Sequence, residues 1–162
     1  MAEKRILSRT DRRHYINIGT EDAPVWSLIG EGFTEFTERK NAVRYRRRYI
    51  HENVYRTDVT GYAPAVDYEL ELCTDNPAAA YFRRIADEEL VGRDAQIQIC
   101  TVDLFDQAET AGVCRASVRT YTVVPDLCAR GTDALIYTGV LHAVTAPVQG
   151  TFVLSTAFFY KD

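Results

Sequence analysis

The chain has 162 residues, 46% of them hydrophobic and 26% charged, enough to bury one core and too few to need two. Its formal net charge of −4 argues against a general nucleic-acid binder, because such binding rests on clustered Lys and Arg neutralising phosphates. The sum hides an asymmetry: residues 1–56 carry twelve Lys or Arg against eight Asp or Glu, and residues 57–162 carry seven against fifteen, so one copy can attract another.

The first eighteen residues are polar and arginine-rich, with only Ile6, Leu7, Tyr15, Ile16 and Ile18 to offer a core. That composition predicts an arm over residues 1–18 that orders only against something else. Next, "VWSLIGEGFTEFTERK" holds the only Trp and a strand-like run over residues 31–37, in which Gly32, Thr34 and Phe36 alternate with Glu31, Phe33 and Glu35. The "GEG" before it reads as a strand-entry turn, since no third glycine or helix follows to make a phosphate cradle.

The segment "RKNAVRYRRRYIHENVYR" packs six arginines, one lysine and three tyrosines into eighteen positions. As a strand it sets Arg44, Arg46 and Arg48 on one face and Val43, Tyr45, Arg47 and Tyr49 on the other. Arginine interleaved with tyrosine also suits a single-strand nucleic-acid groove, yet Glu52 and Asp58 intrude just beyond. Self-association draws support from acids of opposite sign in "DYELEL" and at residues 87–89. A solvated loop is the third reading, and residues 39–62 are expected to be extended and not compact.

"GYAPAVDYELELCTD" has the cleanest period-2 pattern: Val66, Tyr68, Leu70 and Leu72 make a core face, and Asp67, Glu69 and Glu71 an acidic one. "TDNPAAAYFRRIADEELVG" predicts one helix, with Asp75 or Asn76 as cap, Pro77 at the first helical position and Gly92 as its end. Ala78, Phe82, Ile85 and Ala86 form its apolar face. Four β-rich runs follow, "AQIQICTVDLFD", "VCRASVRTYTVV", "ALIYTGVLHAV" and "GTFVLSTAFFY", separated by Gly, Pro and Asp turn signals. The predicted fold is mainly β with one flanking α-helix, a single-domain antiparallel β-sandwich or barrel.

Cys73, Cys100, Cys114 and Cys128 form no CxxC pair and are expected to be reduced thiols, with Cys100 and Cys114 acting as small apolar strand residues. His14, His51 and His142 are scattered, so no metal or cofactor is expected. The chain has no GxSxG, HExxH, GxxxxGK[ST] or GxGxxG, and Asp67 with Glu69 reads as a solvated face more than an acid–base pair. It is not expected to be an enzyme. No apolar run approaches the roughly 20 residues that cross a bilayer, and the N-terminus lacks a signal-peptide core, so a soluble protein made in a cytoplasm is expected.

The succession "WSLIGEGFTEF", "KNAVRYRRRYIHENVYRTDVTGYAPAVDYELELCTDNP", "ELVGRDAQ", "YTVVPD", "GTDALIYTGVL" and "GTF" resembles the major tail protein, or tail tube protein, of long-tailed bacteriophages of Gram-positive bacteria. The likeness runs from about Arg9 to the C-terminus and contains no catalytic signature. It implies a structural virion protein whose hexameric rings stack into a tail tube for DNA ejection. The implied location is the virion tail, assembled in the host cytoplasm. Implied partners are further copies of the chain and other tail proteins such as tape measure, terminator and baseplate components, with DNA passing transiently and no membrane. The loop over residues 39–62 would then reach a neighbouring subunit through Arg44, Tyr45, Arg46, Arg47, Arg48, Tyr49, Tyr55 and Arg56. Asp67, Glu69 and Glu71 would line the channel, repelling phosphates so that DNA slides. The alternatives are a β-domain that binds nucleic acid through residues 44–48 and a small-ligand barrel of lipocalin type.

Overall fold

The computed structural model describes residues 3–162. Its strands are β1 (Arg12–Asn17), β2 (Trp26–Ile29), β3 (Phe33–Arg39), β4 (Ala42–Arg47), β5 (Arg56–Tyr62), β6 (Ala65–Glu71), β7 (Gln96–Gln107), β8 (Val113–Pro125), β9 (Ile136–Ala143), β10 (Val148–Val153) and β11 (Phe158–Lys161), and its helix α1 is Pro77–Asp87. The strand pairs are antiparallel. Nine strands make the main sheet, in the order β2-β1-β7-β8-β9-β6-β3 with β10 on β8 and β11 on β10, while β4 and β5 pair apart from it. The mainly β architecture with one flanking helix read from the sequence is therefore the one the chain adopts.

The main sheet rolls up on itself. His14 of β1 and Phe36 of β3 are far apart in strand order, yet their ring centroids lie 4.6 Å apart, and Arg12 reaches Glu38 at 3.5 Å. Alternation then feeds two cores from the same strands. Ile97 and Ile99 of β7 join Tyr68, Leu70, Phe82 and Ile85 under α1, whereas Cys100 and Val102 join Tyr15, Cys114 and Phe152 on the opposite face. Burying each large apolar side chain contributes about 1.5–3 kcal/mol. Cys100 and Cys114 are indeed small buried strand residues, and burial pushes the Cys100 thiol up to about 12.

Helix α1 begins where the sequence predicts. Asn76 Oδ1 accepts from the Ala79 amide at 3.2 Å, and Asn76 Nδ2 donates to the Glu31 carbonyl at 2.6 Å, so one side chain caps the helix and ties it to the β2–β3 turn. The helix stops earlier than Gly92. Leu90 N donates to Ile85 O and Glu89 N to Ala86 O, with Glu89 at φ +50°; these are the paired bonds of a Schellman ending, closed here by a glutamate in the left-handed region. Tyr137 then donates its hydroxyl to Asp87 at 2.6 Å, pinning the helix end to the sheet.

Three further expectations are corrected. Of the arm over residues 1–18, residues 1 and 2 lie outside the described residues, and Arg12–Asn17 is an inner strand between β2 and β7. Its polar residues are paired: Arg12 meets Asp103 at 2.6 Å, and buried Asn17 accepts from the Gly19 and Val25 amides while donating to Thr20 O and Gln98 Oε1. The strand over residues 31–37 begins at Phe33, and a register shift between Phe33 and Glu35 breaks its alternation. Phe33, edge-on to Phe82, and Phe36 thus both reach the core, as a bulge allows. The last run, "GTFVLSTAFFY", is two strands folded as a hairpin, turning at Ala157 with φ +48°.

Buried His14 stitches β1 to β3 and makes stability depend on pH. Burial, followed by the charges of Arg9 and Arg12, pushes its pKa from 6.5 down to about 3, so the imidazole is neutral even with Glu38 3.9 Å away. The unfolded chain protonates this ring near its ordinary value. Between those two values the unfolded state binds more protons, and stability falls as pH drops. The urea midpoint is expected to be level above about pH 7 and to fall towards pH 5, with a shallower fall in His14→Gln. A midpoint unchanged over that range in the wild-type chain would contradict this.

Candidate assembly surface

Residues 39–62, expected to be an extended loop, form a β-ribbon. The β-favouring residues Val43, Tyr45, Thr57, Val59 and Thr60 support strand structure, and β4 and β5 pair with each other from Ala42↔Tyr62 to Arg47↔Arg56. The ribbon is anchored at its base, where Asn41 sits at φ +48°, donates from Nδ2 to Ala63 O at 3.0 Å and accepts from Ala63 N at 3.1 Å. Beyond that latch its residues are exposed, apart from half-buried Arg47 and Gly61 in the strands and Glu52 in the turn. Eight large apolar or aromatic side chains stand out on it, among them Tyr45, Tyr49, Tyr55 and Tyr62, with Val54 74% exposed and Ile50 fully exposed at the tip.

Seven of the eight residues singled out from the sequence, all but Arg44, meet in two clusters, one per face, as strand alternation requires. Arg46 lies 4.0 Å and Arg48 5.2 Å from the Tyr55 ring centre. On the other side Arg47 lies over Tyr45 and Tyr49, and Arg56 over Tyr49, at 5.3 to 5.8 Å. Each such contact contributes about 0.5–1 kcal/mol at an exposed site. Arg47 is also paired with Asp58 and Arg56 with Glu52, so the acids that seemed to dilute the basic run brace it internally. Asp58 takes no part in neutralising the rest. Among the described residues, Arg44, Arg46 and Arg48 have no carboxylate partner.

The acidic trio lies elsewhere, on β6 of the main sheet. Asp67, Glu69 and Glu71 alternate with buried Val66, Tyr68 and Leu70, as expected. Two of them are already engaged: Asp67 with Arg39 at 2.9 Å and Glu69 with Arg130 at 2.9 Å. Glu71 has no ion-pair partner among the described residues. Sequence reasoning missed Arg130, 61 residues from Glu69, because only the folded chain brings them together. It also missed Ile50 and Val54 as tip residues, although two aliphatic side chains inside a charged turn are a visible signal.

No family profile and no curated protein sequence matches the chain. Among solved structures it is similar to a chain of the cryo-EM structure of the anti-feeding prophage (AFP) baseplate, 6-fold symmetrised, with a TM-score of 0.50 and 14% sequence identity over 92% of this chain and 97% of that one. The likeness spans nearly the whole of both chains. At that identity it is a likeness of fold, and this chain shares the fold of that baseplate chain.

Proposed function

We propose that this chain is a structural virion protein of phage tails, a tail-tube subunit forming hexameric rings that stack, with no catalytic role. The ribbon Ala42–Tyr62 is the stacking element. The observation that carries this is an ordered hairpin with eight exposed apolar or aromatic side chains and three uncompensated arginines, held clear of the barrel. Such a surface is unfavourable in water and favourable against a partner. The fold shared with a chain of a 6-fold symmetrised prophage baseplate supports a ring-forming tail component, and the resemblance of the sequence to tail tube proteins supports the tube. Other tail proteins are then its partners, and DNA passes without being held. In the same reading the Asp67, Glu69 and Glu71 face lines the channel. Its repulsion of phosphate comes chiefly from Glu71, because Arg39 and Arg130 offset the other two.

The rival reading, nucleic acid held by Arg44 to Arg48, uses the same arginines. It is less favoured because Arg46, Arg47, Arg48 and Arg56 of the chain itself lie 4.0 to 5.8 Å from the centres of Tyr45, Tyr49 and Tyr55, where they compete with a base for those half-exposed rings. It would reveal itself as steeply salt-dependent binding of single-stranded DNA by the isolated chain.

In negative-stain microscopy and sedimentation the concentrated protein is expected to form rings and tubes. Arg46→Ala with Arg48→Ala should lower the stacked fraction by at least about ten-fold, as loss of interface anchors does, while thermal melting stays within a few degrees because neither side chain packs in the core. Normal tube yield in that variant sinks the stacking role of the ribbon. For the channel face, DNA release should be slower from those virions that assemble with Glu71→Lys; unchanged release kinetics in them would remove Glu71 from the lumen.

A further inference from the structure

The ribbon and an apolar groove lie at opposite ends of β6. Ala65, where β6 begins, follows the base of the ribbon; Glu71, where it ends about 20 Å away, leads directly into Leu72. There Leu72, Pro77, Ala80 and Leu135 line a groove of about 750 Å³ together with Cys73, Asp75 and Arg83. The groove is built by a backbone bond from Leu72 N to Leu135 O at 2.9 Å and by Asp75, whose φ of +56° turns the chain into the Asn76 cap. Leu135 is 46% exposed, and Cys73 is a free, exposed thiol.

Charge at the two ends is complementary. Residues 39–62 carry seven Lys or Arg against two acids, and residues 71–94 carry six acids against three arginines. Two of those three, Arg83 and Arg84, are held by Asp87 and Glu88 one helical turn on, at 3.0 and 3.3 Å. Among the described residues, Glu71 and Asp75 have no ion-pair partner, and neither do Arg44, Arg46 and Arg48 of the ribbon.

We infer that the groove is the receptor for the ribbon tip of a second copy of this chain, with Ile50 and Val54 seated on Leu72, Pro77, Ala80 and Leu135, and Arg44, Arg46 and Arg48 set against Glu71 and Asp75. The inference rests on the stacking role proposed above and adds its acceptor. Because donor and acceptor occupy opposite ends of one strand, the contact is head-to-tail and leaves a free ribbon and a free groove after every addition, which is what an open-ended stack requires. The apolar tip supplies burial and the charges supply polarity, since like ends repel.

The test uses the native thiol of the groove. Ile50→Cys in the full-length chain, assembled and then oxidised, should give a ladder of covalent multimers on a non-reducing gel, formed by a bond between the new thiol and Cys73 of the next copy. The ladder should disappear in Ile50→Cys with Cys73→Ser and persist with Cys128→Ser. As a second variant, Leu135→Glu should keep the wild-type melting temperature and lose most of its stacked fraction. Stacks that form without a ladder, or a ladder that survives Cys73→Ser, would overturn the groove as receptor while leaving the stacking ribbon intact. Failure of the wild-type chain to stack at all would overturn both.

Discussion

A two-stranded ribbon has one hydrogen-bonded neighbour per strand and no second layer to cover its side chains, so alone in water it is marginal. That constraint governs how this chain is built. The ribbon is latched at its base by Asn41 and Ala63, stiffened by arginines lying over its own tyrosines, and carried on a rolled sheet in which β3 and β6 share the core under α1. What it lacks is cover for Tyr62, Val54 and Ile50. In the proposed stack a partner completes the ribbon, and the rest of the molecule holds it out to be completed.

The internal pairs decide which charges are left for that partner. Arg47 and Arg56 are neutralised within the ribbon and Asp67 and Glu69 within the barrel, which leaves Arg44, Arg46 and Arg48 at one end and Glu71 and Asp75 at the other. Exposed ion pairs contribute little individually; in the proposed stack their use is to set orientation and to speed encounter, while apolar burial supplies affinity. A ribbon already shaped by its own guanidinium–ring contacts also loses less conformational freedom on docking. Rigidity and exposure therefore serve the same end.

Much of this was legible in the sequence because it is local. The alternation of Val66, Tyr68 and Leu70 with Asp67, Glu69 and Glu71, the Asn76-Pro77 helix start and the long β-runs each follow from a few adjacent residues, and all appear in the fold. Non-local pairing was not legible. Arg12 to Asn17 read as part of an arm that orders only against something else because their partners, Asp103, Thr101 and Gln98, lie more than 80 residues away. Phe33 and Phe36 read as opposite faces because a bulge leaves no reliable mark in composition, and Gly92 read as the helix end because glycine is the usual left-handed residue. In the ribbon, alternation correctly divided the arginines between two faces, but only the folded chain distinguishes those spent on Asp58 and Glu52 from those left free.

The most direct measurement is amide hydrogen exchange of the ribbon in the isolated chain and in the assembled protein. The central claim is that the ribbon is formed but uncovered until copies stack, so amides of Ala42–Tyr62 should exchange far faster than those of β7 and β8 in the isolated chain and gain strong protection on assembly. Protection in the isolated chain equal to that of the barrel, or assembly that leaves these amides as fast as before, would contradict it.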